Sequence, residues 1–405
     1  MKVAAIISEY NPFHKGHNYQ IDKLRELLGN DTAVIAIMSG NFTQRGELAV
    51  CDKTIRSVSA VECGVNLVLE LPFPFSMSSA EFFAKSGVRI ANAIGVVDYL
   101  VFGSESGDII ELSDIASIIS TPEYRLTLDA LAEDPEYKEY GYPELCQLTL
   151  SRLYGREVSR DLLSPNNILG IEYIKALWAE GSTIQPLTVK REGAGYLDII
   201  NPMTEFQSAT AIREELADDN ISALDYVPEN TKAIYLEAIN SGKMPSETSR
   251  LDAAVISSFR LNSPSNDLDI QDAVGGLYNR LCDLSAEATS ISSLIALAET
   301  KKYTKARIRR AIWNTYFGVT SSDVRSLPAY TQILAMDTIG RSVLKRIKKV
   351  SDFPVITKPS SYKDFGFDVI KQKELSNKAD SVYGLTLKNA NSGRFSLTFT
   401  PYVKD

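Results

Sequence analysis

Apolar runs that fit buried strands alternate with amphipathic segments over the first half of the chain. Five of these runs predict strands, at residues 3–7, 33–38, 67–72, 99–102 and 183–189. Short, nearly continuous apolar runs are typical of strands that are covered on both faces of a parallel sheet. Because the segments between them have the helical period, we predict a doubly wound, parallel, Rossmann-like α/β domain whose final strand is the fifth run.

The pattern changes in the second half of the chain. Residues 219–325 keep the helical period throughout. A strand at 330–336, a basic helix at 340–349 and a strand at 354–357 then predict a small β-α-β unit. We therefore predict an α/β domain at 1–218, a helical domain at 219–325 that is basic near its end, and a small α/β C-terminal unit at 326–405.

Composition and cysteine placement favour an ordinary cytoplasmic protein. Charged residues make up 23% of the 405 residues, and the four cysteines are far apart in the sequence, without a Cys-x-x-Cys pair. This spacing favours free thiols in a reducing compartment over a disulfide framework or a zinc site. The apolar runs are too short to span a bilayer, so we expect no membrane association.

Positive charge is concentrated in one part of an acidic chain. The net charge is −8, yet residues 301–350 contain 12 Lys or Arg and only 2 Asp, a local net charge of +10. We predict that this block contacts a nucleic-acid backbone, with Tyr303, Trp313 and Tyr316 as stacking surfaces, although a charge run can also be a merely solvated face. The predicted phosphate contacts are Lys301, Lys302, Lys305, Arg307, Arg309, Arg310, Arg341, Lys345, Arg346, Lys348 and Lys349, with Lys301, Lys305 and Arg309 on one helical face.

Both histidines of the chain, His14 and His17, lie between the first predicted strand and the helix that follows it. A helix N-terminus offers free N–H groups and a positive dipole end to an anion, and Gly16 allows close approach of the backbone. The His-x-Gly-His spacing resembles the HIGH-type nucleotidyltransferase superfamily, in which two imidazoles contact the phosphates of ATP. The alternative is a pair of loop histidines without a chemical role.

Polar loops after the other predicted strands could complete a ligand site. They include the loop at 39–47, the Gly103 loop, and Lys190-Arg191-Glu192 with the glycines Gly193 and Gly195. Asn166 and Asn167 could bind a ribose or base edge, or could cap their helix. Arg213 in a helix first turn opposes the dipole, which indicates an anion partner unless it is only a solvated surface residue.

Six sequence blocks occur in an order that resembles a known family. They are Glu-Tyr-Asn-Pro-Phe-His-Lys-Gly-His, Met-Ser-Gly-Asn-Phe-Thr-Gln-Arg-Gly-Glu, Glu-Leu-Pro-Phe, Phe-Gly-Ser-Glu, Pro-Asn-Asn-Ile-Leu-Gly and Ser-Ala-Thr-Ala-Ile-Arg. Together they resemble the bacterial tRNA(Met) cytidine acetate ligase family, and the resemblance covers nearly the whole chain. The Ser-Thr-Lys signature of the wider superfamily is replaced by Ser-Ala-Thr-Ala-Ile-Arg, which leaves Arg213 without a neighbouring lysine.

The resemblance implies an ATP-dependent ligase that activates acetate as acetyl-AMP and acetylates N4 of the wobble cytidine of elongator tRNA(Met). ATP with Mg²⁺, acetate and this tRNA would be its ligands, without an obligatory protein partner or a metal site of its own. The implied catalytic residues are His14, His17, Lys53 (or Arg45 as an alternative helper) and Arg213. The implied ATP contacts are Ile7, Ser8, Glu9, Tyr10, Asn11, Pro12, Phe13, Gly16, Gln20, Gly103, Asn166, Asn167, Arg191 and Glu192.

Two other functions fit part of the sequence. One is a nucleotidyltransferase that adenylylates a small phosphate ester, and the other is a non-catalytic, nucleotide-sensing RNA-binding protein. A nucleotidyltransferase with a small substrate would not need the long, partly basic region beyond residue 215. A protein without catalysis does not need both histidines.

Overall fold

All strands of the computed structural model belong to one sheet within the described residues, which are 1–155, 157–192, 206–262, 264 and 269–405. The strands are β1 (Val3–Ser8), β2 (Ala33–Ser39), β3 (Leu67–Leu71), β4 (Tyr99–Ser104), β5 (Gln185–Lys190), β6 (Thr331–Met336), β7 (Val355–Ile356) and β8 (Tyr402–Val403). Their order is β5-β4-β1-β2-β3-β6-β7, and β8 pairs with β6.

The helices fall into two groups along the chain. Those that accompany the first five strands are α1 (Lys15–Leu28), α2 (Lys53–Glu62), α3 (Ala80–Ala93), α4 (Ile109–Ile119), α5 (Pro122–Glu133), α6 (Tyr142–Tyr154), α7 (Pro165–Ala179) and α8 (Ala209–Ala217). Those of the second half are α9 (Glu229–Asn240), α10 (Asp252–Leu261), α11 (Leu277–Leu284), α12 (Ile291–Ala298), α13 (Lys305–Phe317), α14 (Ser321–Arg325), α15 (Thr338–Val350), α16 (Phe367–Tyr383) and α17 (Phe395–Thr398).

The first five strands are parallel and covered on both faces, as predicted. Alternate residues of β1 show this most simply, because successive side chains of a strand point to opposite faces. Val3, Ala5 and Ile7 pack into one core with α3 and α7, whereas Ala4 and Ile6 pack into another with α1 and α2. The predicted doubly wound, Rossmann-like architecture is therefore confirmed.

The prediction that β5 is the final strand of the sheet is wrong, because β6 extends the same sheet on its other side. β6 runs antiparallel to β3, with Leu67 opposite Met336. The Thr331 hydroxyl donates a hydrogen bond to the Glu70 carbonyl at 2.7 Å. An apolar pattern predicts a strand but not its partner, and β3 would otherwise be an open, apolar edge. β6, α15 and β7 do form the predicted β-α-β unit, with β7 parallel to β6.

The region from 219 to 325 is helical within its described residues, as predicted. It packs against loops that follow the sheet strands rather than forming a separate core. The ring of Phe42, which follows β2, lies 5.4 Å from the ring of Trp313 in α13. Trp313 Nε1 donates a hydrogen bond to the Gly46 carbonyl at 3.1 Å. The three predicted regions therefore share cores across their boundaries.

None of the helices in the described part of the chain has the length and apolar character needed to cross a lipid bilayer.

Candidate active site at the carboxyl ends of the strands

A cleft opens where the loops after β1, β4 and β5 meet at one edge of the sheet. It is lined by His14, Gly16, His17, Tyr19, Gln20, Gly103, Val189, Lys190, Arg191, Glu192, Phe206 and Gln207. Counting the space open to solvent, the empty volume between these side chains is about 480 Å³. The structure thus brings together both histidines, Gly16, Gln20, Gly103, Arg191 and Glu192 from the predicted set.

The two histidines cap the helix on which they lie. The backbone N–H of Gly16 donates to Nδ1 of His14 at 3.0 Å, and the backbone N–H of His14 donates to Nδ1 of His17 at 3.2 Å. A neutral imidazole carries its proton on one nitrogen, and here Nδ1 of each ring is used as an acceptor. The proton of each ring is therefore on Nε2, which remains available as a donor.

The environment keeps both imidazoles neutral. Burial, followed by the charges of Arg191 and Arg213, lowers the pKa of His14 to about 3. Burial and the neighbouring His14 lower the pKa of His17 well below its ordinary value. The ring centroids are only 3.8 Å apart, a spacing that two imidazolium charges would oppose. The site therefore presents two neutral N–H donors, which suits an anion that brings its own charge.

Gly16 is required by the imidazole of His14. A Cβ atom at position 16 would lie 2.9 Å from Cε1 of His14. This is closer than real Cβ contacts, so the ring would have to move. We predicted the glycine for ligand approach, and the structure adds that it makes room for a catalytic candidate.

The residues between β1 and α1 shape the turn more than they face the cleft. Tyr10, Asn11, Pro12 and Phe13 are buried. The Asn11 side-chain oxygen accepts from the Val50 backbone N–H at 2.7 Å. Ile7 and Ser8 end β1. Nucleotide contact from this segment would therefore come mainly through its backbone.

Glu9 connects this turn to the loop after β2. Its carboxylate accepts a hydrogen bond from the backbone N–H of Gln44 at 2.8 Å. Burial raises the pKa of Glu9 despite that bond. The guanidinium of the buried Arg56 donates to the backbone carbonyls of Glu9 and Gly40. This side chain therefore also joins the two loops.

The predicted phosphate contact of Lys53 is contradicted by its position. Its Nζ lies 2.5 Å from Glu70 Oε1 and 2.6 Å from Asp380 Oδ2, and the side chain is 1% exposed. Burial alone would favour the neutral amine, but the two carboxylates outweigh it and raise the pKa of Lys53. The sequence did not reveal this because Asp380 comes from α16, more than 300 residues away. Lys53 is therefore a buried anchor for α16.

Asn166 and Asn167 hold the loop after β4. Asn166 Nδ2 donates to Glu105 Oε1 at 2.6 Å, and the Asn167 backbone N–H donates to Glu105 Oε2 at 2.9 Å. Asn167 Oδ1 accepts from the backbone N–H groups of Glu105 and Ser106. The prediction that these side chains cap their own helix is wrong, because the N-cap of α7 is Ser164 and both amides bind the loop after β4. Glu105 is the partner that the sequence analysis missed. Its position in the Phe-Gly-Ser-Glu block was the available signal.

The segment after β5 closes another side of the cleft. Arg191 packs over Gly103, where an added Cβ would lie 3.3 Å from Arg191 Cγ. The Tyr19 hydroxyl donates to Glu192 Oε1 at 2.8 Å, and the Tyr19 ring lies 5.4 Å from that of Phe206. Tyr19 and Phe206 were not predicted as site residues. Gly193 and Gly195, which follow Glu192 in the sequence and were also predicted for the site, lie outside the described residues.

Arg213 and Arg309 share one carboxylate beside this site. Arg213 is the fifth of the nine residues of α8, whose N-cap is Ser208, so it lies beyond the first turn in which the sequence placed it. Its Nη2 is 2.9 Å from Glu47 Oε2, and its Nη1 donates to the Asn11 carbonyl at 2.9 Å. Arg309 Nη1 is 2.7 Å from Glu47 Oε1. Arg309, predicted as an RNA contact, is thus directed toward the loop after β2.

Two other predicted RNA contacts in α13 are used within the chain. Arg310 is 9% exposed and makes a bidentate pair with Asp272, with both bonds at 3.0 Å. Arg307 donates to the carbonyls of Asp272 and Val274. These guanidiniums hold the loop before α11, so the prediction that Arg310 binds an RNA backbone is wrong. A charge count could not reveal that their partner, Asp272, lies about 40 residues earlier in the chain.

Two of the three predicted stacking residues are buried, and one cation predicted for the basic helical face lies outside the helix. Trp313 is 2% and Tyr303 is 7% exposed, so neither offers a stacking face. Helix α13 begins only at Lys305, capped by Thr304, so Lys301 does not lie on its face. Lys301, Lys302 and Lys305 are nevertheless exposed and remain candidates for phosphate contact.

The basic residues of α15 lie near the amino ends of the parallel strands, opposite the cleft. The helix begins against Asn66, the residue before β3, whose Nδ2 donates to Asp337 at 2.8 Å. Further along, Arg346 lines a groove with Lys2 and Asp98, which precede β1 and β4. A six-residue strand is about 20 Å long. The single positive block predicted from the sequence is therefore two separate surfaces. Arg341, Lys345, Arg346, Lys348 and Lys349 are all exposed on the second one.

The described residues contain no group of three or more His, Cys, Asp or Glu side chains placed to hold a metal ion.

Comparison with known proteins places this geometry in a family. The model of the HIGH Nucleotidyl Transferase family matches residues 1–396. A protein of Acetivibrio thermocellus named tRNA(Met) cytidine acetate ligase is 35% identical, with 100% of this chain and 99% of the relative covered. A protein of Caldanaerobacter subterraneus with the same name is also 35% identical, with both chains fully covered.

Solved structures agree with the sequence comparison. The crystal structure of Thermotoga maritima TmcAL bound with α-thio ATP superimposes with a TM-score of 0.90 at 32% identity, and both chains are fully covered. The apo structure of the same protein gives a TM-score of 0.91, with 100% of this chain and 99% of that chain covered.

Proposed function

Because this chain belongs to the tRNA(Met) cytidine acetate ligase family of HIGH nucleotidyl transferases, we propose that it activates acetate with ATP and acetylates N4 of the wobble cytidine of elongator tRNA(Met). The observation that carries the proposal is the pair of capped histidines. Their Nε2–H donors are not used by the described residues and lie beside the cleft, in a fold shared with an ATP-analogue-bound relative.

In the first step, a carboxylate oxygen of acetate attacks the α-phosphorus of ATP. The bond from that phosphorus to the bridging oxygen breaks, and its electron pair leaves with pyrophosphate. No protein nucleophile is needed, so catalysis consists of positioning and of stabilising developing phosphate charge. His14 and His17 would donate from Nε2 to phosphate oxygens, and the free N–H groups at the start of α1 would add to them.

The remaining contacts would hold the two ends of ATP. Gly103, Arg191 and Glu192 line the cleft together with Gln20 of α1, and adenosine would lie against them. Arg213 would bind the pyrophosphate end. Asn166 and Asn167 would act through the Gly103 loop that they hold. Mg²⁺ would neutralise phosphate oxygens without a ligand cluster from the described residues.

In the second step, the exocyclic amine of cytidine attacks the acetyl carbon, the carbon–oxygen bond to AMP breaks, and the amine loses a proton. The amine is a weak nucleophile inside a stacked anticodon, so the base must be extruded toward the cleft. The exposed Lys301, Lys302 and Lys305 near α13 would contact the tRNA backbone on this side. The basic residues of α15, at the other edge of the sheet, would contact a more distant part of the same tRNA.

The experiment is incubation with ATP, Mg²⁺, isotope-labelled acetate and total tRNA, followed by nucleoside analysis. We expect the label in N4-acetylcytidine from one tRNA species. Pyrophosphate release without label in tRNA would contradict the acceptor, and the absence of both would contradict the enzyme.

A further inference from the structure

Arg309 comes from the helical region, yet it is held at the catalytic edge of the sheet. The backbone of α13 packs directly on Gly46, where an added Cβ would lie 2.7 Å from both Arg309 Cβ and the Arg310 nitrogen. Trp313, one turn further on, donates to the Gly46 carbonyl. The loop after β2 and α13 therefore fix the root of the Arg309 side chain beside Glu47.

Glu47 links this arginine to the histidine turn. Its two carboxylate oxygens each contact a different guanidinium, Oε2 that of Arg213 and Oε1 that of Arg309. Arg213 also binds the Asn11 carbonyl, and its charge contributes to lowering the pKa of His14. One carboxylate thus lies between two cations, next to the groups proposed to hold ATP phosphates.

This triad differs from the buried ion cluster at Lys53. Lys53 and Glu70 are at most 1% exposed, whereas the side chains of Arg213, Glu47 and Arg309 are 17%, 28% and 31% exposed. A ligand can therefore reach the triad. Two guanidiniums and one carboxylate leave an excess positive charge, and guanidinium forks match the geometry of phosphate oxygens.

We propose that Arg213 and Arg309 together form the site for the leaving pyrophosphate, and that Glu47 is the counter-ion that occupies this site until the nucleotide binds. The inference rests on the proposed function, which requires pyrophosphate to leave. When the bond from the α-phosphorus breaks, the electron pair moves onto pyrophosphate, and both guanidiniums stabilise the added charge. Glu47, repelled by the polyphosphate, turns away and returns when pyrophosphate is released. Arg309, which the sequence analysis predicted as an RNA contact, is thereby assigned to the adenylation step.

The proposal predicts opposite effects for the two kinds of partner. The direct probe is inorganic pyrophosphate with Mg²⁺, titrated calorimetrically into the full-length protein. Arg309→Gln should weaken pyrophosphate binding at least about 10-fold, as expected for one charge-assisted contact, and Arg309→Lys should weaken it less. Glu47→Gln should strengthen binding several-fold, because the competing carboxylate is gone. A triad that only supported the fold would not yield a tighter binder.

Lys371→Gln is the matched control. Lys371 is an exposed cation on α16 that also pairs with a carboxylate, Asp323, at 2.6 Å, but it has no part in the proposed site. This variant should bind pyrophosphate like the unmodified protein. Weaker binding by Glu47→Gln, or unchanged pyrophosphate binding with weaker tRNA binding by Arg309→Gln, would overturn the proposal.

Acetate-dependent exchange of labelled pyrophosphate into ATP, without tRNA, separates this inference from the proposed function. If the unmodified protein exchanges label and Arg309→Gln does so equally well, the pyrophosphate site is wrong and the ligase activity stands. If no acetate-dependent exchange occurs but pyrophosphate binding follows the predicted order, the site stands and acetate activation is wrong.

Discussion

The imidazoles of His14 and His17 lie with their ring centroids 3.8 Å apart, and each uses its Nδ1 to accept a backbone N–H at the start of the same helix. The same two side chains thereby cap the helix and present hydrogen-bond donors to a ligand. The capping bonds fix the tautomer in which Nε2 carries the proton, so both donors are oriented before the nucleotide arrives. Such pre-orientation lowers the reorganisation that the reaction requires.

Replacing His17 by Ala should remove one phosphate donor and the acceptor that orients His14. We expect turnover to fall by about 10²–10³-fold, the usual loss for one donor to developing charge. tRNA affinity should stay nearly unchanged, because the exposed lysines near α13 are untouched. Steady-state kinetics and filter binding measure the two quantities. An equal loss of both would count against this separation of roles.

The stability of the protein should depend on His14 at mildly acidic pH. Its pKa is about 3 in the folded chain against an ordinary value of 6.5, so between these values the unfolded chain binds a proton that the folded chain does not. The stabilisation is complete above pH 6.5 and decreases as the pH falls, by up to about 1.4 kcal/mol per pH unit. Urea unfolding at pH 7.5 and 5 measures it. His14→Gln should show a smaller decrease than the unmodified protein, and an equal decrease in both would be evidence against neutral burial of this ring.

Replacing Lys53 by Met should destabilise the fold rather than weaken ATP binding directly. The change leaves Glu70 and Asp380 without their shared cation, and breaking a buried pair typically costs about 3–5 kcal/mol. Lys85→Met is the control, because Lys85 is 40% exposed in a surface pair with Glu81 and should change stability by less than about 1 kcal/mol. Chemical denaturation gives both values. Unchanged stability with a raised KM for ATP would restore the phosphate contact predicted from the sequence.

Replacing Gly46 by Ala should loosen the contact between the loop after β2 and α13. Gly46 has a φ of +74°, and an added Cβ would lie 2.7 Å from Arg309 Cβ. Gly155 is a matched control, since its φ is +71° and nothing lies within 4 Å of its added Cβ. Both variants carry the backbone strain, so the extra loss in Gly46→Ala, about 1–3 kcal/mol for overpacking, measures the clash. Equal losses of unfolding free energy would mean that the two elements are not tightly packed.

The sequence predicted the parts of the structure that depend on local pattern. The first five strands, the helices that follow them and the position of the two histidines all follow from runs of a few residues. Gly16, Gln20, Gly103, Arg191 and Glu192 line one cleft, because parallel strands bring their carboxyl ends to the same edge of a sheet.

What the sequence did not predict depends on long-range pairing. The partner of β6, the acids around Lys53 and the Asp272 bound by Arg310 all come from distant segments. The charge count predicts that the cations of 301–350 form one exposed surface. In the fold, some of them bind acidic side chains or carbonyls within the chain, and the others lie on two separate surfaces. The role of Glu47 was hidden for the same reason, because both of its arginines are more than 160 residues away.

The most direct test of the account uses one defined RNA. An unmodified transcript of elongator tRNA(Met) is incubated with the protein, ATP, Mg²⁺ and labelled acetate, then digested to nucleosides. We expect labelled N4-acetylcytidine, and no label in a transcript with uridine at the wobble position. Label in the uridine transcript, or ATP consumption without label in either RNA, would contradict the proposed function.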